Sequence, residues 1–128
     1  LIKLSNKYKS SVIATKKINR KNAPRWGILD IKKINKNNFK INDVVEKPTI
    51  ESAPSNYAII GRYILPKKIF KILERQKPGK NGEIHITDSI KTLISLNNKF
   101  IAHKFKGKYL DCGSMNGYIK STIEISKK

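Results

Sequence analysis

The chain has 128 residues, is 38% hydrophobic and 29% charged, and carries a formal net charge of +19 with a single cysteine, Cys112. That length is enough for one domain, the apolar residues recur throughout in a way that excludes a disordered chain, and a lone cysteine excludes an intrachain disulfide. No apolar run approaches the roughly 20 residues of a membrane helix, and the start, Leu1-Ile2-Lys3-Leu4, lacks the apolar core of a signal peptide and an initiator methionine. The expectation is a cytoplasmic protein whose chain begins inside a longer one. The charge alone points to nucleic acid or another anionic surface. Against that, Arg20, Arg25, Arg62 and Arg75 are the only arginines, the lysines are spread along the whole chain, and lysine, isoleucine and asparagine are abundant together, as A/T-rich codons produce. Arginine is the better residue for bidentate phosphate and base recognition.

In chain order, Ser10 to Ile18 reads as a strand, Asn19 to Pro24 as turn, and Trp26 to Ile31 as a second strand. Asn35 to Asn38 is a hairpin turn signal. Phe39, Ile41 and Val45 then alternate with polar residues, and counting by two puts Glu46 on the face opposite Phe39 and Ile41. Thr49 to Ser55 is loop, and Asn56 to Leu65 is a buried strand around Ala58-Ile59-Ile60. Pro66 opens a helix with the stripe Ile69, Phe70, Ile72 and Leu73. Lys77 to Gly82 breaks it, and Thr87 or Asp88 caps the next helix, with Ile90, Leu93 and Ile94 as its stripe. Phe100 to Phe105 and Lys108 to Leu110 read as strands, and Asn116 starts a last helix with Tyr118, Ile119, Thr122 and Ile123 on one side. This order of elements predicts a mixed sheet with helices packed on it.

Several constellations have two readings. Glu46-Lys47-Pro48 is either a solvated ion pair where a strand ends, or a carboxylate for vicinal sugar hydroxyls beside an ammonium for a phosphate. Trp26-Gly27 is either a core aromatic with a bulge glycine or a bare backbone against which a ligand lies. Asp111 before Cys112-Gly113 is a turn former or a hard oxygen ligand for Mg²⁺. His85 and His103 read as structural, and Cys112 lacks the basic neighbours that would activate a thiol. The base-and-aromatic alternation from Lys99 to Tyr109 fits a strand better than a single-strand stacking platform.

Taken together, Trp26-Gly27, Val45-Glu46-Lys47-Pro48, Ala53-Pro54-Ser55-Asn56-Tyr57-Ala58, Gly61-Arg62-Tyr63-Ile64-Leu65, Pro78-Gly79, Gly82-Glu83-Ile84-His85-Ile86-Thr87-Asp88, Gly107-Lys108-Tyr109-Leu110-Asp111-Cys112-Gly113 and Gly117-Tyr118 stand in the order of a known family. The chain resembles the C-terminal half of the bacterial UTP–glucose-1-phosphate uridylyltransferases, with His85 where that family usually has glutamine. The resemblance implies an α/β fold, a Rossmann-like mixed sheet of the sugar nucleotidyltransferase type, here lacking its N-terminal nucleotide-binding half. Residues 1–128 would be the C-terminal sugar-phosphate-binding portion of a single domain. By the same resemblance Gly27 and Glu46 bind glucose, Lys47 binds the sugar phosphate and acts in catalysis, and Asp111 is one of two aspartates on a catalytic Mg²⁺. The implied substrates are UTP and glucose 1-phosphate, with a homo-oligomer in the full-length protein and no membrane partner. No Gly-x-Gly-Thr-Arg phosphate loop occurs in the sequence, so the chain alone is expected to be inactive. The alternative is a small basic nucleic-acid-binding protein.

Overall fold

The computed structural model describes residues 1–79 and 82–127. The chain runs α1 (Ile2–Tyr8), β1 (Ser11–Lys17), a 3₁₀ helix (Arg20–Arg25), β2 (Gly27–Lys33), β3 (Asn38–Glu46), β4 (Tyr57–Ile64), α2 (Ile69–Arg75), α3 (Ile86–Ser95), β5 (Phe100–Lys104) and α4 (Met115–Ser126). The predicted break over Lys77 to Gly82 holds where it is described, with Lys80 and Asn81 lying outside the described residues.

Among the described residues five strands form one mixed sheet in the order β1-β4-β2-β3-β5, and β5 closes it by pairing with β1. β1 and β5 are parallel neighbours, and the other pairs are antiparallel. The seam between β2 and β4 is short, with Ile28 opposite Ala58. Beyond it a side chain stands in for ladder bonds: the Ser55 hydroxyl donates to the Leu29 carbonyl at 2.6 Å; on the other side of β4 the Thr15 hydroxyl of β1 donates to the Ala58 carbonyl at 2.6 Å. Unpaired buried carbonyls are costly, so the Ser55 hydroxyl accounts for part of the Ala-Pro-Ser-Asn phrase as backbone satisfaction.

Two irregularities in the strands set where later side chains point. Asp30 pairs with Asp43 and Ile31 with Ile41, which leaves Asn42 as an extra residue in β3. A bulge of this kind shifts every later side chain to the other face. The period-two count from Phe39 is thereby corrected: Glu46 lies on the side of Val44, which shares the main core with Phe39 and Ile41. The second irregularity sits between Ile13 and Thr15, where β4 carries Ile60, Gly61 and Arg62 against Ala14 alone. Gly61 takes φ +68° there, a conformation that suits glycine.

The main core lies between the sheet and α2 with α3, built from Ile13, Leu29, Phe39, Ile41, Val44, Ile59, Ile69, Ile90, Leu93, Phe100 and Ala102. A smaller cluster of Ala23, Ile28, Ala53 and Ala58 fills the opposite face under the 3₁₀ helix and the loop after β3. That loop is pinned by Arg20, whose guanidinium donates to the carbonyls of Ile50, Glu51 and Ala53.

Several expectations about elements change. Nothing in the sequence marks α1, because its apolar residues are too few to show a period. Pro66 does not open α2; it precedes it by one turn, its carbonyl accepting from the Ile69 amide at 3.0 Å. Phe70 is exposed while Ile69 is buried, so the stripe is narrower than predicted. His85, not Thr87 or Asp88, is the N-cap residue of α3, and Asp88 sits in its first turn, where a negative charge suits the helix dipole. Lys108 to Leu110 is irregular rather than a strand. Ser114 caps α4 through its hydroxyl, which accepts from the Gly117 amide. Met115, Tyr118, Ile119, Ile123 and Ile125 of α4 are exposed.

Candidate functional site

Gly27 and Glu46 face each other across the β2–β3 ladder, and directly opposed residues of an antiparallel pair project to the same side. The space a side chain at Gly27 would take is already filled. A Cβ there would lie 2.9 Å from Thr87 Cγ2, 3.0 Å from Glu46 Oε2 and 3.3 Å from Ile59 Cδ1. Glycine is thus required for the carboxylate of Glu46 to meet the hydroxyl of Thr87, which donates to Oε2 at 2.8 Å. The Glu46 side chain is 15% exposed, a carboxylate held in place yet reachable.

His85 stands beside it, 13% exposed, with Nδ1 3.9 Å from Glu46 Oε1 and Nε2 3.5 Å from Glu83 Oε2. Gln76, just past the end of α2, fixes this corner: its amide donates to the His85 carbonyl at 2.9 Å, and its Oε1 accepts from the Ser89 hydroxyl of α3. Glu46, Gly27, Thr87 and His85 line a cavity of about 230 Å³ together with Arg25, Trp26, Ile59, Gly61, Tyr63 and Ile86. Burial, and then the Glu46 charge, hold the Tyr63 hydroxyl above its usual pKa, so it remains a protonated donor at neutral pH. The wall thus presents one carboxylate, two hydroxyls, an imidazole and a guanidinium around bare backbone at Gly27, a set suited to a polyhydroxylated ligand.

Lys47 follows Glu46 with φ 45°, in the left-handed region. Its amide donates to the Trp26 carbonyl at 3.0 Å and ends the hairpin ladder, and the chain then turns into buried Pro48. Lys47 is not among the residues lining the cavity; it lies one residue from its rim.

Asp111 lies in the irregular segment after β5. Its Oδ1 accepts from the Gly113 amide at 3.0 Å, closing a turn, and its Oδ2 is 3.5 Å from Arg25 Nη2. Arg25 also lines the cavity, so one guanidinium connects the Glu46 pocket to Asp111. Lys16 completes this flank, its ammonium 4.4 Å from the centre of the Trp26 ring and 3.8 Å from that of Tyr109, while the two rings meet edge to face at 5.4 Å. Burial lowers the Lys16 pKa, Asp111 acts against that, and Arg25 reinforces it. Among the described residues no group of three or more His, Cys, Asp or Glu side chains converges as a metal site.

The structure therefore brings Gly27 and Glu46 into one pocket, with Asp111 joined to it through Arg25. Sequence reasoning missed Thr87, Tyr63, Arg25 and His85 as lining residues. In the sequence His85 has no visible link to Glu46, 39 positions away; the two become neighbours only through the bulge at Asn42.

The profile of the nucleotidyl transferase family matches residues 1–128. The chain is 43% identical over 122 residues to a UTP–glucose-1-phosphate uridylyltransferase of Pseudomonas aeruginosa, covering 95% of this chain and 43% of that protein. It is 41% identical over 128 residues to UTP–glucose-1-phosphate uridylyltransferase 1 of Staphylococcus saprophyticus, covering 98% and 44%. A crystal structure of UDP-glucose pyrophosphorylase complexed with UDP-glucose matches the fold with a TM-score of 0.90 at 42% identity, covering 98% of this chain and 48% of that one. The chain spans somewhat less than half the length of these relatives. With a mixed α/β sheet of the same fold and a family profile matched from end to end, the chain belongs to the nucleotidyl transferase family.

Proposed function

We propose that this chain is the sugar-phosphate-binding portion of a UTP–glucose-1-phosphate uridylyltransferase, which converts UTP and glucose 1-phosphate to UDP-glucose and pyrophosphate. The observation that carries this reading is the opposition of Gly27 and Glu46 in a hydroxyl-lined cavity. Glu46 accepts from glucose hydroxyls, Gly27 lets the sugar approach the backbone, and Lys47 meets the phosphate as a point charge. A phosphate oxygen of the sugar attacks the α-phosphorus of UTP in line and pyrophosphate departs. Little covalent work is asked of the protein; positioning and charge neutralisation carry the rate.

Mg²⁺ is commonly held by one or two carboxylates together with substrate phosphates. Asp111 fits one such position, being partly exposed with its Oδ1 oriented by the Gly113 amide. A bound Mg²⁺ would neutralise phosphate charge there. The same reading gives a cytoplasmic enzyme, homo-oligomeric at full length, with no membrane partner. No helix among the described residues is long and apolar enough to cross a membrane. The nucleic-acid alternative keeps no continuous stacking platform: of its aromatics Phe100 is buried within β5, Tyr109 packs against Trp26 and Lys16, and Phe105 stands exposed.

Calorimetric titration with glucose 1-phosphate tests the proposal. Binding is expected in the isolated chain, weakened about tenfold by Lys47→Ala, the worth of one charge-assisted contact, whereas affinity for glucose itself is unchanged by that substitution. Equal loss for both ligands would remove Lys47 from the phosphate. No UDP-glucose forms from the isolated chain, because nothing in its sequence supplies the triphosphate loop.

A further inference from the structure

We propose that His85 is a positioning residue for Glu46, and that its protonation withdraws Glu46 from the sugar; this rests on the reading of the cavity as a sugar site. The imidazole lies between two carboxylates, with Nδ1 toward Glu46 Oε1 at 3.9 Å and Nε2 toward Glu83 Oε2 at 3.5 Å. A neutral imidazole donates from one nitrogen only, so it can serve one of the two carboxylates; the imidazolium donates from both. Protonation therefore converts a ring that serves a single carboxylate into one that bridges Glu46 and Glu83.

The movement required is small. Gln76 holds the His85 backbone and ties it to Ser89, so the side chain closes about an ångström by rotation while the main chain stays. Glu46 Oε2 is already engaged by Thr87, and Oε1 is the oxygen that the imidazolium would take. A sugar hydroxyl must then compete with a cation for the remaining lone pairs. The other titratable groups on the cavity wall do not duplicate this behaviour. Arg25 offers donors only, and Tyr63, with its pKa raised by burial and then by the Glu46 charge, stays neutral.

The sequence offers a control. Glutamine is the residue usual at this position in the family that the chain resembles, so His85→Gln keeps a donor at the site and removes the titration. Glucose 1-phosphate is titrated into the 128-residue chain and into the His85→Gln variant between about pH 5.5 and 8. The phosphate of the ligand titrates equally in both experiments, so the ratio of the two dissociation constants isolates His85. That ratio, wild type over variant, is expected to rise about fivefold as the pH falls, the equivalent of one net hydrogen bond. A ratio that stays flat while both proteins bind overturns the inference and leaves the sugar site standing. Folded proteins that bind no glucose 1-phosphate at any pH overturn both. A second measurement uses the wild type alone. By linkage, a ligand that binds the neutral form better must lower the pKa of His85; its imidazole NMR titration with and without saturating glucose is expected to show that decrease, and an unchanged or raised pKa refutes the role even if the variant fails to fold.

Discussion

At the scale of single residues, the site is organised around a missing side chain. Alanine at Gly27 would drive its Cβ into Thr87 Cγ2 and Glu46 Oε2, pushing apart a hydrogen-bonded pair inside a packed wall. Gly27→Ala is expected to cost about 1–3 kcal/mol in urea unfolding, as overpacking does, and to weaken glucose 1-phosphate binding with it. In a Thr87→Ser background, where Cγ2 is gone, the same alanine should cost less. His103 offers a pH prediction of the opposite kind to a catalytic one. Its Nδ1 is 2.8 Å from Asn38 Oδ1, and burial, followed by the charges of the amino terminus and Lys106, lowers its pKa below the ordinary 6.5. The unfolded chain therefore binds a proton that the folded one resists. Stability is full above pH 6.5 and declines as the pH falls through that value toward the folded pKa. Unfolding measured across this window is expected to show the decline in the wild type and a shallower slope in His103→Gln.

At the scale of elements, α4 shows where glycine is wanted against its propensity. Gly117 lies in the first turn of the helix, and a Cβ there would sit 2.2 Å from the carbonyl oxygen of Asp111. In an unencumbered helix Gly→Ala gains about 1 kcal/mol. Gly117→Ala is instead expected to destabilise, because the first turn and the Asp111 turn cannot both keep their places, and hydrogen exchange over residues 111–118 should quicken. The elements also show what could be read beforehand. β3 and α3 were legible because their apolar residues recur at the strand or helix period, β1, β2 and β4 because short apolar runs stand between polar or turn-rich segments, and the hairpin because Asn35 marks its turn, where its side chain accepts from the amides of Asn37 and Asn38. The face of Glu46 was not legible. One extra residue at Asn42 inverts the count, and nothing in Ile41-Asn42-Asp43 announces it. The end of α2 was legible, but its consequence was not, since Gln76 acts through contacts with His85 and Ser89 that are 9 and 13 residues away.

At the scale of the whole molecule, the charge of +19 is a destabilising field that no single lysine reveals. The ion pairs Lys91–Asp43 and Lys108–Glu124 neutralise little of it. Raising the salt from about 10 to 150 mM shortens the screening length from about 30 to 8 Å and is expected to raise the Tm; a fall would mean that the surface pairs outweigh the repulsion. Fold class and family were legible because phrases such as Glu46-Lys47-Pro48 and Asp111-Cys112-Gly113 keep their order along the chain, whereas closure of the sheet was not, since pairing between distant strands leaves no local mark. That closure has a consequence for biosynthesis. Of the five strands β1 is made first and β5 last, yet each borders the other, and β5 also covers the far edge of β3. A nascent chain still short of residues 100–104 holds two bare strand edges outside the ribosome, open to mispairing with neighbours. The sheet must therefore mature after β5 has left the exit tunnel, and an upstream stop codon would release a sticky product rather than a smaller folded one.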